Sequence, residues 1–172
     1  MEGGWHAREL RAVTGAGLPA VERLRISNAA EADAAAGRPE WLLRGIAGQE
    51  QYVRPRERAE LVSRQPPLGR PEATRAALIP IKKSAEWWQL PQDRRRAIFE
   101  ERSRHVETGM SYLPAIARRL LHCRELLEPF DFLTWFEYAP AHEAAFEQLV
   151  ERLRATEEWR YVEREVDVRL ER

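Results

Sequence analysis

Ala76-Ala77-Leu78-Ile79-Pro80-Ile81-Lys82-Lys83 is the stretch on which the fold turns. An apolar run of this length, rich in branched residues and closed by two lysines, reads as a largely buried strand. Pro80 lacks an N–H for a ladder hydrogen bond, which predicts an edge or a bulge. Downstream, a helix is predicted from near Pro91, in the favoured first-turn position, to about His105. After Gly109 a second helix is predicted from the spacing of Leu113, Ile116, Ala117, Leu120 and Leu121. Phe130 to Tyr138 reads as a strand with Phe132, Thr134 and Phe136 on one face and Leu133 and Trp135 on the other. Pro140 opens a helix with Phe146, Leu149, Val150 and Leu153 on one stripe, and Trp159 to Leu170 closes the chain as a strand. The resulting order, β-α-α-β-α-β, is that of a ferredoxin-like unit with a helix where one strand could lie, an α+β fold with helices on one sheet face.

Upstream the elements are shorter. Ala20 to Ile26 and Glu40 to Ile46 read as strands and Arg56 to Arg64 as a short helix. Breaks rich in Ala, Gly or Pro fall at Asn28–Pro39 and Gln65–Pro71, and a third lies at Glu128-Pro129. The second break reads as a linker, which divides the chain into residues 1–70 and 71–172. The first part is too small to close a core alone, so it is expected to share a sheet or an interface.

Composition narrows the function. The 172 residues carry 28 Lys and Arg against 28 Asp and Glu, so no basic field exists to favour DNA or anionic membranes. Neither nucleic acid nor a membrane is expected as a partner. Hydrophobic residues make up 44% and include six Trp, enough for a core. The single cysteine, Cys123, excludes an internal disulfide and a cysteine-based zinc site and suggests a reducing compartment. No apolar window approaches about 18 residues, and the first residues lack a signal-peptide pattern, so a cytoplasmic location is expected.

The chemistry-bearing residues are few. His6, His105, His122 and His142 give no short two-histidine metal motif, and G-x-S-x-G, Walker A and G-x-G-x-x-G are all absent from the sequence. A single-histidine site remains. His105 falls on the apolar face of its predicted helix, where a lone histidine is more often packed and hydrogen-bonded than a ligand. Only Lys82 and Lys83 are lysine, leaving 26 arginines, a weak pointer to a place where a compact ammonium is wanted. Trp87 and Trp88 suit either a planar ligand or ordinary packing. Arg118 lies off the apolar stripe of its predicted helix and reads equally as a solvated arginine.

In combination these residues resemble the chlorite dismutase family, in its short dimeric branch. The likeness is carried by Leu18 to Leu24, Gly45 to Tyr52, the Lys-x-x-x-Trp-Trp block from Lys83 to Trp88, and His105 followed thirteen positions later by Arg118. Phe130-Asp131-Phe132-Leu133-Thr134-Trp135-Phe136-Glu137 and Arg154 to Trp159 complete it.

The resemblance implies a ferredoxin-like dimeric α/β barrel, with a complete C-terminal half and a truncated N-terminal one. It further implies haem b, a homodimer and the conversion of chlorite to chloride and dioxygen. By the same likeness His105 is the proximal iron ligand and only metal ligand, and Arg118 is the distal arginine that holds the anion. Gln65 is the distal glutamine that hydrogen-bonds Arg118, and Leu113 its apolar neighbour. Lys83 and Glu158 are the proximal hydrogen-bonding partners, with Glu157 the alternative one register away. Trp87, Trp88 and Tyr52 pack on the haem or touch its propionates. A longer coproheme decarboxylase, a dye-decolourising peroxidase and a non-catalytic haem-binding dimer are the rival readings. The first typically lacks an arginine at the position of Arg118, and no aspartate accompanies Arg118 as the second requires.

Overall fold

The computed structural model describes residues 4–28, 31, 37–47, 66–102, 108–109 and 111–172. The predicted helix at Arg56–Arg64, together with His105, Gln65 and Tyr52, lies outside the described residues. Among those described, seven antiparallel strands form one sheet in the order β2-β1-β7-β4-β6-β5-β3. They are β1 (Trp5–Thr14), β2 (Arg23–Leu24), β3 (Ile46–Ala47), β4 (Arg75–Lys83), β5 (Ala117–His122), β6 (Phe132–Tyr138) and β7 (Val162–Glu171). Helices α1 (Ala85–Gln89) and α2 (Gln92–Arg96) follow β4, α2 continuing as a π-turn over Ala97–Arg102, and α3 (Glu143–Arg154) joins β6 to β7.

The decisive stretch is a strand, but it lies inside the sheet. β4 pairs with β6 from Arg75↔Tyr138 to Ile81↔Phe132 and with β7 on its other side. Pro80 is therefore not at an edge. The ladder to β7 lapses after Leu78↔Val168 and resumes at Ile81↔Glu165 in the same register, so the missing N–H is accommodated locally.

A second expectation is overturned at residues 117–122. Helical spacing there predicted a helix, whereas Ala117–His122 is β5, paired antiparallel with β6 and with β3. A strand covered on both faces shows no alternation, so Leu120-Leu121 fits either period. Pro114, inside the predicted helix, was the contrary signal. With β5 in place the order from β4 onward is β-α-β-β-α-β, the complete ferredoxin-like unit.

The N-terminal strands also differ from expectation. Of Ala20–Ile26 and Glu40–Ile46, only Arg23–Leu24 and the Ile46 end enter the sheet. β1 was not foreseen, because register shifts between Ala7 and Glu9 and between Ala12 and Thr14 break its alternation.

Two cores follow from the pleat. One sheet face carries Ala76, Leu78, Leu133, Trp135, Val166 and Val168, and packs with Trp5 and Leu24 of the N-terminal strands. Cys123 is buried in this layer, and its thiol is pushed up to about 12 by desolvation, which makes it a poor nucleophile. The opposite face carries Ala77, Ile79, Ile81, Phe132 and Phe136, against which α3 lays Phe146, Leu149, Val150 and Leu153. Burying those four side chains contributes on the order of 6–12 kcal/mol before the chain entropy opposing it.

Candidate functional site

A pocket open to solvent lies on the helix-covered face of the sheet. Ile79 and Ile81 of β4 with Thr134 and Phe136 of β6 line its sheet side, and Leu149, Val150 and Leu153 of α3 line the other. Phe99 from the π-turn and Tyr112, Leu113 and Ile116 from the segment before β5 complete the wall. Two opposed apolar walls of this kind suit a flat, mostly apolar group such as haem.

Arg118 is the strand residue that brings charge to this space from β5. It pairs with Phe136 across β6, which puts both side chains on the cavity face of the pleat. Its place on a strand, rather than off the stripe of a helix, is why it reaches the cavity. Leu113 lines the same space.

At one end of the sheet lies a second predicted group. Lys83 ends β4, and Glu158 begins the 3₁₀ turn Glu158–Tyr161 that leads into β7. Lys83 Nζ meets Glu158 Oε1 at 2.6 Å, with side chains only 2% and 5% exposed. The junction is fixed by backbone as well: Ser84 donates its N–H to the Tyr161 carbonyl at 2.6 Å. Burial lowers the Lys83 pKa, an effect that Glu158 opposes by holding the ammonium charged. Lys83 Nζ also sits 3.8 Å from the centre of the Trp87 ring, which is fully buried beside Ile98.

Trp88 faces differently from its neighbour. Its indole donates to Asp131 Oδ2 at 3.2 Å, its ring stacks on Phe132 at 6.1 Å, and the Arg124 guanidinium lies 4.0 Å above it. Asp131 also accepts the Lys83 backbone N–H at 2.7 Å, joining Trp88 to the Lys83–Glu158 pair. Phe99 links this cluster to the cavity, since it packs on the Trp87 group and lines the cavity wall. Trp159, next to Glu158, lines the cavity too. Arg118, Leu113, Lys83, Glu158, Trp87 and Trp88 thus belong to one region.

Sequence reasoning missed the charges buried beside it. The charges that alternate with Val166, Val168 and Leu170 along β7 are not on a solvent face: Glu165, Asp167 and Arg169 are buried on the α3 side. Arg154 of α3 donates to Glu165 Oε1 at 2.7 Å and to Asp167 Oδ2 at 2.9 Å, and the Trp159 indole donates to Glu165 Oε2 at 2.9 Å. Arg169 pairs with Asp167 and with Glu147. Burial pushes the Asp167 carboxyl up, but Arg169 and Arg154 outweigh it and hold its pKa below the ordinary value. Burial likewise opposes the Arg154 charge, and its carboxylate partners overcome that. Glu165, Asp167 and Arg169 recur at every second position, the spacing that one face of a strand requires; that was the available signal.

Known proteins share this architecture. The family model described as chlorite dismutase matches residues 20–170. A dimeric chlorite dismutase from Nitrobacter winogradskyi is 55% identical, with a TM-score of 0.89 over 98% of this chain and 93% of that one. Chlorite dismutase from Candidatus Nitrospira defluvii, solved in complex with imidazole, is 29% identical with a TM-score of 0.60, over 76% of this chain and 54% of that one. The chlorite dismutase of Ideonella dechloratans is 36% identical over 62 residues, so the match spans 36% of this chain and 20% of that protein.

Proposed function

Because this chain belongs to the chlorite dismutase family, we propose that it converts chlorite to chloride and dioxygen at a haem b held in the cavity. The observation that carries this reading is Arg118, a permanent cation set beside the apolar Leu113 and Phe136 of the cavity wall.

Haem iron, when bound, supplies an open coordination position at which chlorite can give up an oxygen atom. Arg118 holds the anion there, since its planar fork of donors suits an oxyanion and its charge is never lost. In an apolar cavity that attraction is stronger than in bulk water. The same guanidinium would hold hypochlorite, the fragment left when chlorite gives up an oxygen atom, inside the cavity. The proposed reaction balances as one chlorite to one chloride and one dioxygen, with no electron or proton from outside. Leu113 and Ile116 keep competing water from this side.

On the proximal side the proposal gives His105 the iron and Glu158 the other ring N–H of His105. A carboxylate has lone pairs enough to accept from both Lys83 and an imidazole. Its charge makes the imidazole a stronger donor to iron, and Lys83 anchors it at 2.6 Å. Trp87, Trp88 and Tyr52 are assigned to the haem periphery and Gln65 to Arg118. Residues 1–70 and 71–172 form the truncated and complete halves, and two copies make the working dimer.

The test is direct. Haem-loaded protein mixed with chlorite on an oxygen electrode is expected to release one dioxygen for each chlorite consumed. Loaded protein that consumes no chlorite contradicts the proposal.

A further inference from the structure

Residues 66–70 lead from the N-terminal part of the chain into β4, and they are fastened to the other side of the cavity. The Arg70 guanidinium donates from Nη1 to the Pro114 carbonyl at 3.3 Å and from Nη2 to the Ala115 carbonyl at 3.1 Å. Those two carbonyls stand between Leu113 and Ile116, which both line the cavity, and lie three and four residues before Arg118. Beside this clamp, Gly69 donates its N–H to Glu137 Oε2 at 2.6 Å. Glu137 is 1% exposed, receives the Trp135 indole on its other oxygen at 2.9 Å, and is the β6 partner of Ala117, the residue before Arg118. Arg70 is itself held, because its carbonyl accepts from Arg172 Nη2 at 2.9 Å and from the Ala73 N–H at 3.1 Å.

We propose that Arg70 is a positioning residue for Arg118, clamping the segment before β5 so that the strand presents Arg118 to the cavity. The inference rests on the reading of Arg118 given above. Two adjacent carbonyls pointing at one guanidinium match its rigid planar fork, one carbonyl to each Nη. Among the described residues, the other anchors of 111–116 are local or on α3: the Tyr112 hydroxyl donates to Gln148 at 2.9 Å and accepts from Arg152 at 3.3 Å, the Ser111 hydroxyl turns back to the Thr108 carbonyl at 2.7 Å, and Ile116 is buried in the core. Small displacements there carry into the direction of Arg118, because the β5 ladder begins only at Ala117. Lysine's ammonium has donors enough but no fixed fork, so it holds the two carbonyls less rigidly.

Amide hydrogen exchange of the purified protein tests the clamp itself. Arg70→Ala is expected to speed exchange across residues 111–122 and to leave residues 162–171 unchanged, with Arg70→Lys intermediate. The same variants loaded with haem and titrated with fluoride test the link to Arg118. Arg70→Ala is expected to bind fluoride about five-fold more weakly in the parent background and no more weakly in an Arg118→Ala background. Unchanged exchange, an equal rise in both segments, or a fluoride loss that persists in full with Arg118→Ala overturns the inference. Should Arg70→Ala fail to fold, Arg70→Lys carries the same comparison. Arg118→Ala that matches the parent in fluoride affinity contradicts the anion-holding role of Arg118, a separate failure that leaves the exchange data to decide the clamp.

Discussion

Lys83 and Glu158 form a closed ion pair at 2.6 Å, joining the last residue of β4 to the turn that begins β7. Two charges so fully removed from water depend on each other, because removing either takes away the opposite charge that offsets the burial of the other. Lys83→Ala is therefore expected to lower stability by about 3–5 kcal/mol in urea unfolding. The double variant Lys83→Met/Glu158→Leu should lose less than that single change, because no charge is stranded. A single variant as stable as the parent would show that the pair is not formed in solution.

Lys83 meets Glu158, and on that contact the proposal gives Glu158, rather than Glu157, to His105. Glu158→Gln is expected to keep haem and to raise the iron reduction potential, since an amide donates less electron density through the imidazole. Spectroelectrochemistry that finds the shift in Glu157→Gln and none in Glu158→Gln would put the proximal site one residue earlier.

His105→Ala should leave a folded protein that no longer retains haem. Circular dichroism and the haem absorbance of the purified variant read the two halves of this statement separately. Full haem occupancy with an unchanged spectrum contradicts the ligand assignment.

Asp167 sets an acid limit on stability. Its folded-state pKa is depressed because Arg169 and Arg154 outweigh burial. Below the ordinary aspartate value the unfolded chain binds a proton that the folded chain does not, so this contribution is present above pH 3.8 and is lost as pH falls through the folded value. Asp167→Asn should lower stability at pH 7 and flatten its decline below pH 4, as read by thermal melts across pH. An acid limb as steep as that of the parent would mean that other carboxylates govern it.

Much of this architecture is written in local pattern. β4 and β6 announce themselves as apolar runs, and α3 as a stripe of Phe146, Leu149, Val150 and Leu153. Where both sides of an element are covered, that signal fails. The spacing of Leu113, Ile116, Ala117, Leu120 and Leu121 fits a helix, yet Leu120 and Leu121 lie partly buried on opposite faces of β5, and Glu165, Asp167 and Arg169 are buried where charge is usually solvated. Their partners, Arg154 and Glu147, are distant in sequence and come into reach only when α3 packs on the sheet. Lys83, Glu158, Arg118 and the two tryptophans were found as a family pattern, not from periodicity, since each alone fits ordinary packing. The Arg70 clamp has no sequence signature, because its acceptors are backbone carbonyls.

The central claim is that Arg118 holds the chlorine oxyanions in the cavity, and it is tested most directly by dioxygen released per chlorite consumed, with and without methionine as a hypochlorite trap. Arg118→Ala is expected to keep haem, turn over more slowly, yield less than one dioxygen per chlorite and bleach after fewer turnovers, with methionine protecting it more than the parent. An Arg118→Ala variant equal to the parent in rate, yield and lifetime would contradict the account.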